Sequence, residues 1–183
     1  MVLIVDNYGF TANITAAMVR SLGFSAVVLP FKTEEGVVNV GDYSAVILTA
    51  GPGSLAGNSL GSILVKKNPG TPLLGICQGM HLIARIHGAA VVKSALMCED
   101  TLSHTGEGLF AGISQRFRVV LRHGHEIDRS ALPREFEADA YSSTGAVQGI
   151  SICGRKIYGT GFDPSNYRTE NGIKIFYNFL NMK

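Results

Sequence analysis

The first half of the chain carries short runs of consecutive apolar residues, separated by longer mixed segments. Runs that are apolar at every position are typical of strands covered on both faces, as in the parallel sheets of α/β proteins. The runs are Val2 to Val5, Ala26 to Leu29, Ala45 to Leu48 and Leu73 to Ile76. They predict an open, mostly parallel sheet with helices on both faces.

The segment between the first two runs predicts a helix. Ala12 to Leu22 carries apolar side chains at Ile14, Met18 and Leu22, which lie on one face of a helix, and Gly23 follows where a helix often ends. Strands and helices therefore alternate through the first half of the chain. This alternation favours an α/β fold.

The pattern changes in the second half, where short apolar runs are joined by short polar turns, and it predicts a small antiparallel portion. The final segment, Glu170 to Leu180, returns to a helical pattern. The strands predicted here are Phe117 to Leu121, Ala138 to Tyr141, Val147 to Ile152 and Lys156 to Tyr158.

Length and composition favour a single domain that spans residues 1–183, because 183 residues with 46% hydrophobic and 16% charged side chains can bury a full core.

The net charge of +2 is small and the basic residues of the chain are scattered, so we predict neither a nucleic-acid nor a membrane partner. No apolar run approaches the ~20 residues that span a bilayer, and the start lacks a signal sequence. We therefore expect a cytoplasmic protein.

The chain has three cysteines and no CxxC pair, which argues against a disulfide framework or a zinc site. Cys98 and Cys153 are interpreted as small, partly buried side chains. Cys77 differs from both because it closes an apolar run and opens a helical pattern at Gln78. A cysteine at a strand-to-helix bend lies near the positive end of the helix and near backbone N–H groups, which favours a thiolate nucleophile.

A second loop, Gly51-Pro-Gly-Ser54, follows one of the predicted strands. Its glycines let the backbone approach a bound group, and because Pro52 has no N–H, Gly53 is the expected donor. Together with the N–H of Gln78, this loop would aim two donors near Cys77. That is the arrangement of an oxyanion hole.

Five segments in this order resemble the class I glutamine amidotransferases. The resemblance covers nearly the whole chain and is nearest to the glutaminase subunit, component II, of anthranilate and aminodeoxychorismate synthases. It implies a flavodoxin-like α/β fold. The segments are Asp6-Asn-Tyr-Gly-Phe-Thr-Ala-Asn13, Gly51-Pro-Gly-Ser54, Gly75-Ile-Cys-Gln-Gly79, Ser103-His-Thr-Gly-Glu-Gly-Leu-Phe110, and Phe162-Asp-Pro with Thr169 and Gly172.

The resemblance also implies a mechanism. Cys77 would attack the side-chain amide of glutamine, with Gly53 and Gln78 as oxyanion donors, and water would hydrolyse the thioester. The ammonia would pass to a chorismate-using synthase of the component I type. Substrate contacts would come from Gly51, Pro52 and Gly53, from position 81, and from the segment His123, Gly124 and His125. No cofactor and no metal is implied.

The chain departs from the family where the family carries its catalytic base. The family sequence Phe-His-Pro-Glu is Phe162-Asp-Pro-Ser165 here, so Asp163 replaces the catalytic histidine and Ser165 replaces the glutamate that orients it. An ionised Asp163 would raise the pKa of the Cys77 thiol and could not protonate the leaving amine. We therefore expect the standard triad chemistry to be impaired or absent.

Two further departures affect the expected substrate pocket. His81 replaces a glutamine of the family, and Gly124-His125 replaces Ser-Leu. Because His81 lies one helical turn after Cys77, a substitute Cys-His pair is one hypothesis, and a histidine that packs against the helix is the alternative. His123 or His125 could also approach the thiol from a loop. No ligand spacing among these histidines and Asp163 indicates a metal site.

Two functions remain open from the sequence. One is a glutaminase subunit with an altered triad, which feeds ammonia to its partner. The other is a catalytically inactive subunit that binds a partner or a small ligand. A third interpretation, a flavodoxin-like cofactor binder, is weaker because the loop Asp6 to Thr11 lacks a phosphate cradle.

Overall fold

The computed structural model describes residues 1–52 and 59–182, and only the backbone of residues 95–97. The strands of this part are β1 (Val2–Asp6), β2 (Ala26–Pro30), β3 (Ala45–Leu48), β4 (Leu73–Ile76), β5 (Val91–His104), β6 (Phe117–Ile127), β7 (Phe136–Tyr141), β8 (Val147–Ile152) and β9 (Ile157–Thr160). The α-helices are α1 (Ala12–Ser21), α2 (Leu60–Lys66), α3 (Gln78–Ile86) and α4 (Gly172–Asn181).

One sheet contains these strands, in the order β2-β1-β3-β4-β9-β8-β7-β5-β6. The first five are parallel neighbours, and the apolar runs of β1, β3 and β4 are buried in its interior. The predicted α/β fold with an open, mostly parallel sheet is confirmed. Its helices cover both faces of the parallel half.

Alternation along each parallel strand divides the core into two layers. In β1, Val2 and Ile4 face a layer that includes α1 and α4, while Leu3 and Val5 face a layer that includes α2 and α3. Burying each such aliphatic side chain contributes about 1.5–3 kcal/mol before the entropy cost of folding. Both faces of the sheet must therefore stay covered, which is why every position of the run is apolar.

The second half of the sheet is antiparallel, from β9 through β8, β7 and β5 to β6. The sequence did not predict β5, because polar residues such as Lys93, Glu99 and Asp100 interrupt its apolar pattern. It also ended β6 too early. His125 and His123 pair with Lys93 and Leu96 of β5, so the expected loop around Gly124 is wrong and this segment is part of a strand.

The parallel strands place the candidate site, because their carboxyl ends meet at one edge of the sheet. The loops that follow β1 and β3 and the turn from β4 into α3 come together at this edge, and so does the loop that follows β9. Cys98 and Cys153 are exposed, which corrects the expectation that they are partly buried. None of the described helices has both the length and the apolar character needed to cross a bilayer.

Candidate active site

Cys77 lies on a sharp bend between β4 and α3. Its backbone has φ 50 and ψ −111, a combination that residues with a side chain rarely adopt. The Cys77 N–H donates to the Thr160 carbonyl at 2.7 Å, and the Cys77 carbonyl accepts from the N–H of His81 at 3.1 Å. Bonds to β9 on one side and to the first turn of α3 on the other therefore hold the strained residue in place.

Two glycines allow α3 to approach the sheet closely enough to form this bend. A Cβ atom at Gly79 would lie 2.5 Å from the carbonyl oxygen of Leu48 in β3, and one at Gly75 would lie 2.5 Å from the carbonyl of Gly79. Both clashes would be with backbone atoms, which cannot turn aside as the end of a flexible side chain can. Only hydrogen fits at either position.

The bend opens into a cavity of about 330 Å³. Larger cavities lie elsewhere, including one of about 460 Å³ beside Glu137 and Asp139, but this is the one that contains the strained cysteine. Its lining comes from the loop after β1, the loop after β3, the bend at Cys77 and Gln78 between β4 and α3, which we call the elbow, β6 and the loop after β9. The residues are Tyr8, Gly9, Phe10, Thr11, Ala50, Gly51, Pro52, Cys77, Gln78, Val120, Arg122, Asp163 and Asn166.

Cys77 is buried, with only 5% of the residue exposed. Its Sγ donates a weak hydrogen bond to the carbonyl oxygen of Gly161 at 3.5 Å. Burial raises the pKa of the Cys77 thiol above its ordinary value, and the nearby charge of Asp163 raises that pKa further. The thiol is therefore protonated at neutral pH, despite its position at the start of a helix.

Asp163 is also buried, and its Oδ1 accepts hydrogen bonds from the Ser165 N–H at 2.8 Å and from the Ser165 hydroxyl at 2.6 Å. Burial raises the pKa of the Asp163 carboxyl, while the hydrogen bonds from Ser165 and the proximity of the Thr11 hydroxyl oppose that rise. Ser165 thus serves as a donor that fixes the carboxyl group. The pair supplies no nitrogen base to the thiol.

Three histidines form a cluster of their own. The ring of His81 lies 5.8 Å from that of His123 and 6.3 Å from that of His125, measured between centroids. His81 is 1% exposed, and neither of its ring nitrogens has a hydrogen-bond partner in the described part of the chain. In this arrangement His81 packs against other imidazoles and does not hydrogen-bond to the Cys77 thiol.

Burial is the main cause that lowers the pKa of His81, to about 3, and the neighbouring histidines and Arg85 lower it further. A lowered pKa means that the folded state binds the proton less well than the unfolded state. His81 is therefore neutral at physiological pH, and its contribution to stability is lost as the pH falls from about 6.5 towards 3.

Comparison with known proteins identifies the family of this chain. The family described as Glutamine amidotransferase class-I matches residues 3–182, almost the entire chain. The chain belongs to this family.

Relatives of this chain include components of two synthases. Aminodeoxychorismate synthase component 2 of Klebsiella aerogenes is 30% identical, over 99% of this chain and 100% of its own length. Anthranilate synthase component 2 of Mycobacterium tuberculosis is 29% identical, over 98% and 81%. Among solved structures, a candidate GMP synthase subunit from Thermoplasma acidophilum superposes with a TM-score of 0.85 at 28% identity, covering 98% of this chain and 91% of its own.

The residues predicted for the site divide into those that line the Cys77 cavity and those that lie outside it. The structure brings Gly51, Pro52, Cys77, Gln78 and Asp163 into one cavity. The imidazoles at positions 81, 123 and 125 do not line that cavity in the described part of the chain, and neither does Gly124. The predicted oxyanion donor at position 53 lies outside the described residues.

The sequence reasoning did not assign site roles to several residues that line the cavity. Tyr8, Phe10 and Thr11 come from the loop after β1, and Asn166 comes from the loop after β9. Tyr8 also has a positive φ of 63. Their place in the chain could have indicated them, because a loop that follows a central parallel strand emerges at the same edge of the sheet as the elbow.

Proposed function

We propose that this chain is an amidotransferase-type subunit of a chorismate-using synthase. Its Cys77 cavity binds a small ligand, but the chain does not hydrolyse glutamine at a useful rate. The observation that carries this proposal is the replacement of the base: the cavity beside Cys77 holds a buried carboxyl, Asp163, tied to Ser165. We also infer a cytoplasmic location, because three cysteines with no CxxC pair argue against a disulfide framework.

Thioester chemistry makes two demands that this cavity does not meet. The attacking sulfur must be deprotonated, but burial and Asp163 both raise the pKa of the Cys77 thiol. The departing amine must then receive a proton, which an imidazolium supplies and a carboxylate cannot. Losing the base of such a coupled unit costs about 10⁶ in kcat, or roughly 8 kcal/mol of barrier.

Association with a synthase is supported by the relatives. Two of them are named as component 2 of aminodeoxychorismate synthase and of anthranilate synthase, and this chain spans most of their length. The name implies a first component in each enzyme. We infer that this chain also binds a component I type of partner, while glutamine remains a candidate ligand of its cavity.

A glutaminase that works through a Cys77 thioester is the second candidate. The strained backbone of Cys77 favours it, because such strain is kept where the surrounding structure enforces it and is common at active sites. In that function Gln78 and Gly53 would supply the oxyanion donors. A base would then have to come from His81, His123 or His125 after a rearrangement of the histidine cluster.

Ammonia release from glutamine tests the choice between these functions. The purified chain is assayed alone and with a component I type of synthase, and a Cys77→Ser variant serves as the matched control. We expect the same background rate from both proteins, together with a stable complex between the chain and its synthase in size-exclusion chromatography. Ammonia release that depends on Cys77 would overturn the proposal in favour of the glutaminase.

A further inference from the structure

Three imidazoles meet between α3 and β6, outside the described lining of the Cys77 cavity. His81 belongs to α3, and His123 and His125 belong to β6. The rings of His123 and His125 both meet the ring of His81 edge-on, with interplanar angles of 83° and 64°. These rings therefore form part of the contact between the helix and the strand.

The packing of this cluster suits neutral rings. His81 is buried, and neither of its ring nitrogens has a hydrogen-bond partner among residues 1–52 and 59–182. An imidazolium in this place would lack both water and an acceptor, and a buried charge without a partner is costly. Uptake of a proton therefore favours a state in which α3 and β6 separate and water reaches the ring.

Positive charges near the cluster add to this cost. His123, His125 and Arg85 all lower the pKa of His81, after burial as the main cause. On the neighbouring strand β5, Lys93 pairs with His125 in the strand register. A proton on His81 would thus meet further positive charge and no compensating carboxylate of its own.

One carboxyl group acts in the opposite direction, but on a different ring. Glu126 raises the pKa of His123, and so does the neutral side chain of Gln148 on β8, yet burial outweighs both and leaves that pKa lowered. The elements α2 and β9 also pack against α3, and no charged group of their described residues acts on either ring. The cluster as a whole is therefore destabilised by acid.

The cluster is close to Cys77 along the helix. The N–H of His81 donates to the carbonyl oxygen of Cys77 at 3.1 Å, in the first turn of α3. The strained backbone of Cys77 persists because such contacts enforce it. If the first turn of α3 moves away from β6, this bond loses its support and the buried thiol comes into contact with water.

We propose that the cluster of His81, His123 and His125 is a pH-sensitive switch: when it takes up protons, the start of α3 separates from β6 and exposes the Cys77 thiol, while the parallel strands stay folded. This inference goes beyond the proposed function and does not depend on whether the cavity hydrolyses glutamine. The pKa of His81 is lower in the packed state than in an open one, so the open state gains population as the pH falls below about 6.5.

Labelling with 4,4′-dithiodipyridine tests the proposal, because this reagent forms mixed disulfides with accessible thiols in mildly acidic as well as in neutral solution. The full chain is labelled briefly at pH 7 and at pH 5, and peptide mass spectrometry gives the rate at Cys77 relative to the exposed Cys153. A ring whose pKa falls from 6.5 to about 3 on burial changes the open population about 25-fold between these pH values. We expect the ratio of the two rates to rise by about that factor.

Two glutamine variants separate the cluster from other histidines. His81→Gln removes the titrating group and keeps a polar side chain, and we expect the rise to shrink to about fivefold or less, since His123 still titrates. His87→Gln is the matched control, because His87 follows the same helix but pairs with Glu135 outside the cluster. That variant should keep the full rise.

A constant ratio in the wild-type chain, or an equal rise in His81→Gln, would overturn the proposal. Amide hydrogen exchange gives a second measurement that needs no variant. We expect exchange at pH 5, corrected for its intrinsic pH dependence, to be faster than at pH 7 in α3 and β6 and unchanged in β1 and β3. Faster exchange throughout the sheet would also overturn the proposal, because acid would then unfold the whole protein.

Discussion

Replacing Asp163 by His and Ser165 by Glu together is expected to raise glutaminase activity at least about 10³-fold above the wild-type rate. The double variant removes the carboxylate that raises the pKa of the Cys77 thiol. It also puts an imidazole at a position that lines the same cavity as the sulfur. The full gain available is about 10⁶, but His81, Gly124 and His125 still differ from the family, so we expect only part of it.

Ammonia release in single-substrate kinetics measures this gain. Adding Cys77→Ser to the double variant should return the rate to background, because the nucleophile is then lost. The single variant Asp163→His should gain less, since nothing orients the new imidazole. A folded double variant with no gain would show that the altered pocket residues alone prevent turnover, and that the loss of the base is not the limiting defect.

Replacing Gly79 by Ala is expected to cost about 3 kcal/mol or more of unfolding free energy, at the upper end of overpacking effects. The new Cβ would lie 2.5 Å from the carbonyl oxygen of Leu48, so α3 would have to move away from β3. Because Cys77 lies at the start of α3, the elbow would move with it. Urea unfolding, followed by circular dichroism, measures the loss.

Gly36→Ala is the matched control for this experiment. A Cβ at Gly36 would meet nothing within 4 Å. We expect its unfolding free energy to stay within about 0.5 kcal/mol of the wild type. Equal stability of the Gly79→Ala and Gly36→Ala variants would contradict the close approach of α3 to the sheet on which the elbow depends.

Much of the parallel half of the fold could be predicted from the sequence, because burial on both faces leaves a continuous apolar run. The predicted bounds of β3 and β4 agree with the structure. The long strand β5 could not be found in the same way. In the antiparallel half of the sheet one face meets solvent, and polar residues such as Glu99 and Asp100 interrupt the apolar pattern by which a strand is recognised.

The site was predictable only in part, because only some of its residues are marked by a local sequence pattern. Cys77 stood out because the change from apolar run to helical pattern is local in sequence, and Asp163 stood out by its position in a family motif. The packing of His81 against His123 and His125 was not predictable, because it depends on the register between β5 and β6. Local patterns do not encode that register.

The protonation state of Cys77 is the central point, and the pH dependence of its alkylation measures it most directly. Iodoacetamide reacts with the thiolate, and peptide mass spectrometry separates Cys77 from the exposed Cys98, which serves as the internal reference in the same sample. Because burial and Asp163 both raise the pKa of Cys77, its rate should still be rising at pH 9. Asp163→Asn should move the profile to lower pH. A wild-type rate that already reaches its plateau below about pH 7 would contradict this, because the elbow would then hold a preformed thiolate.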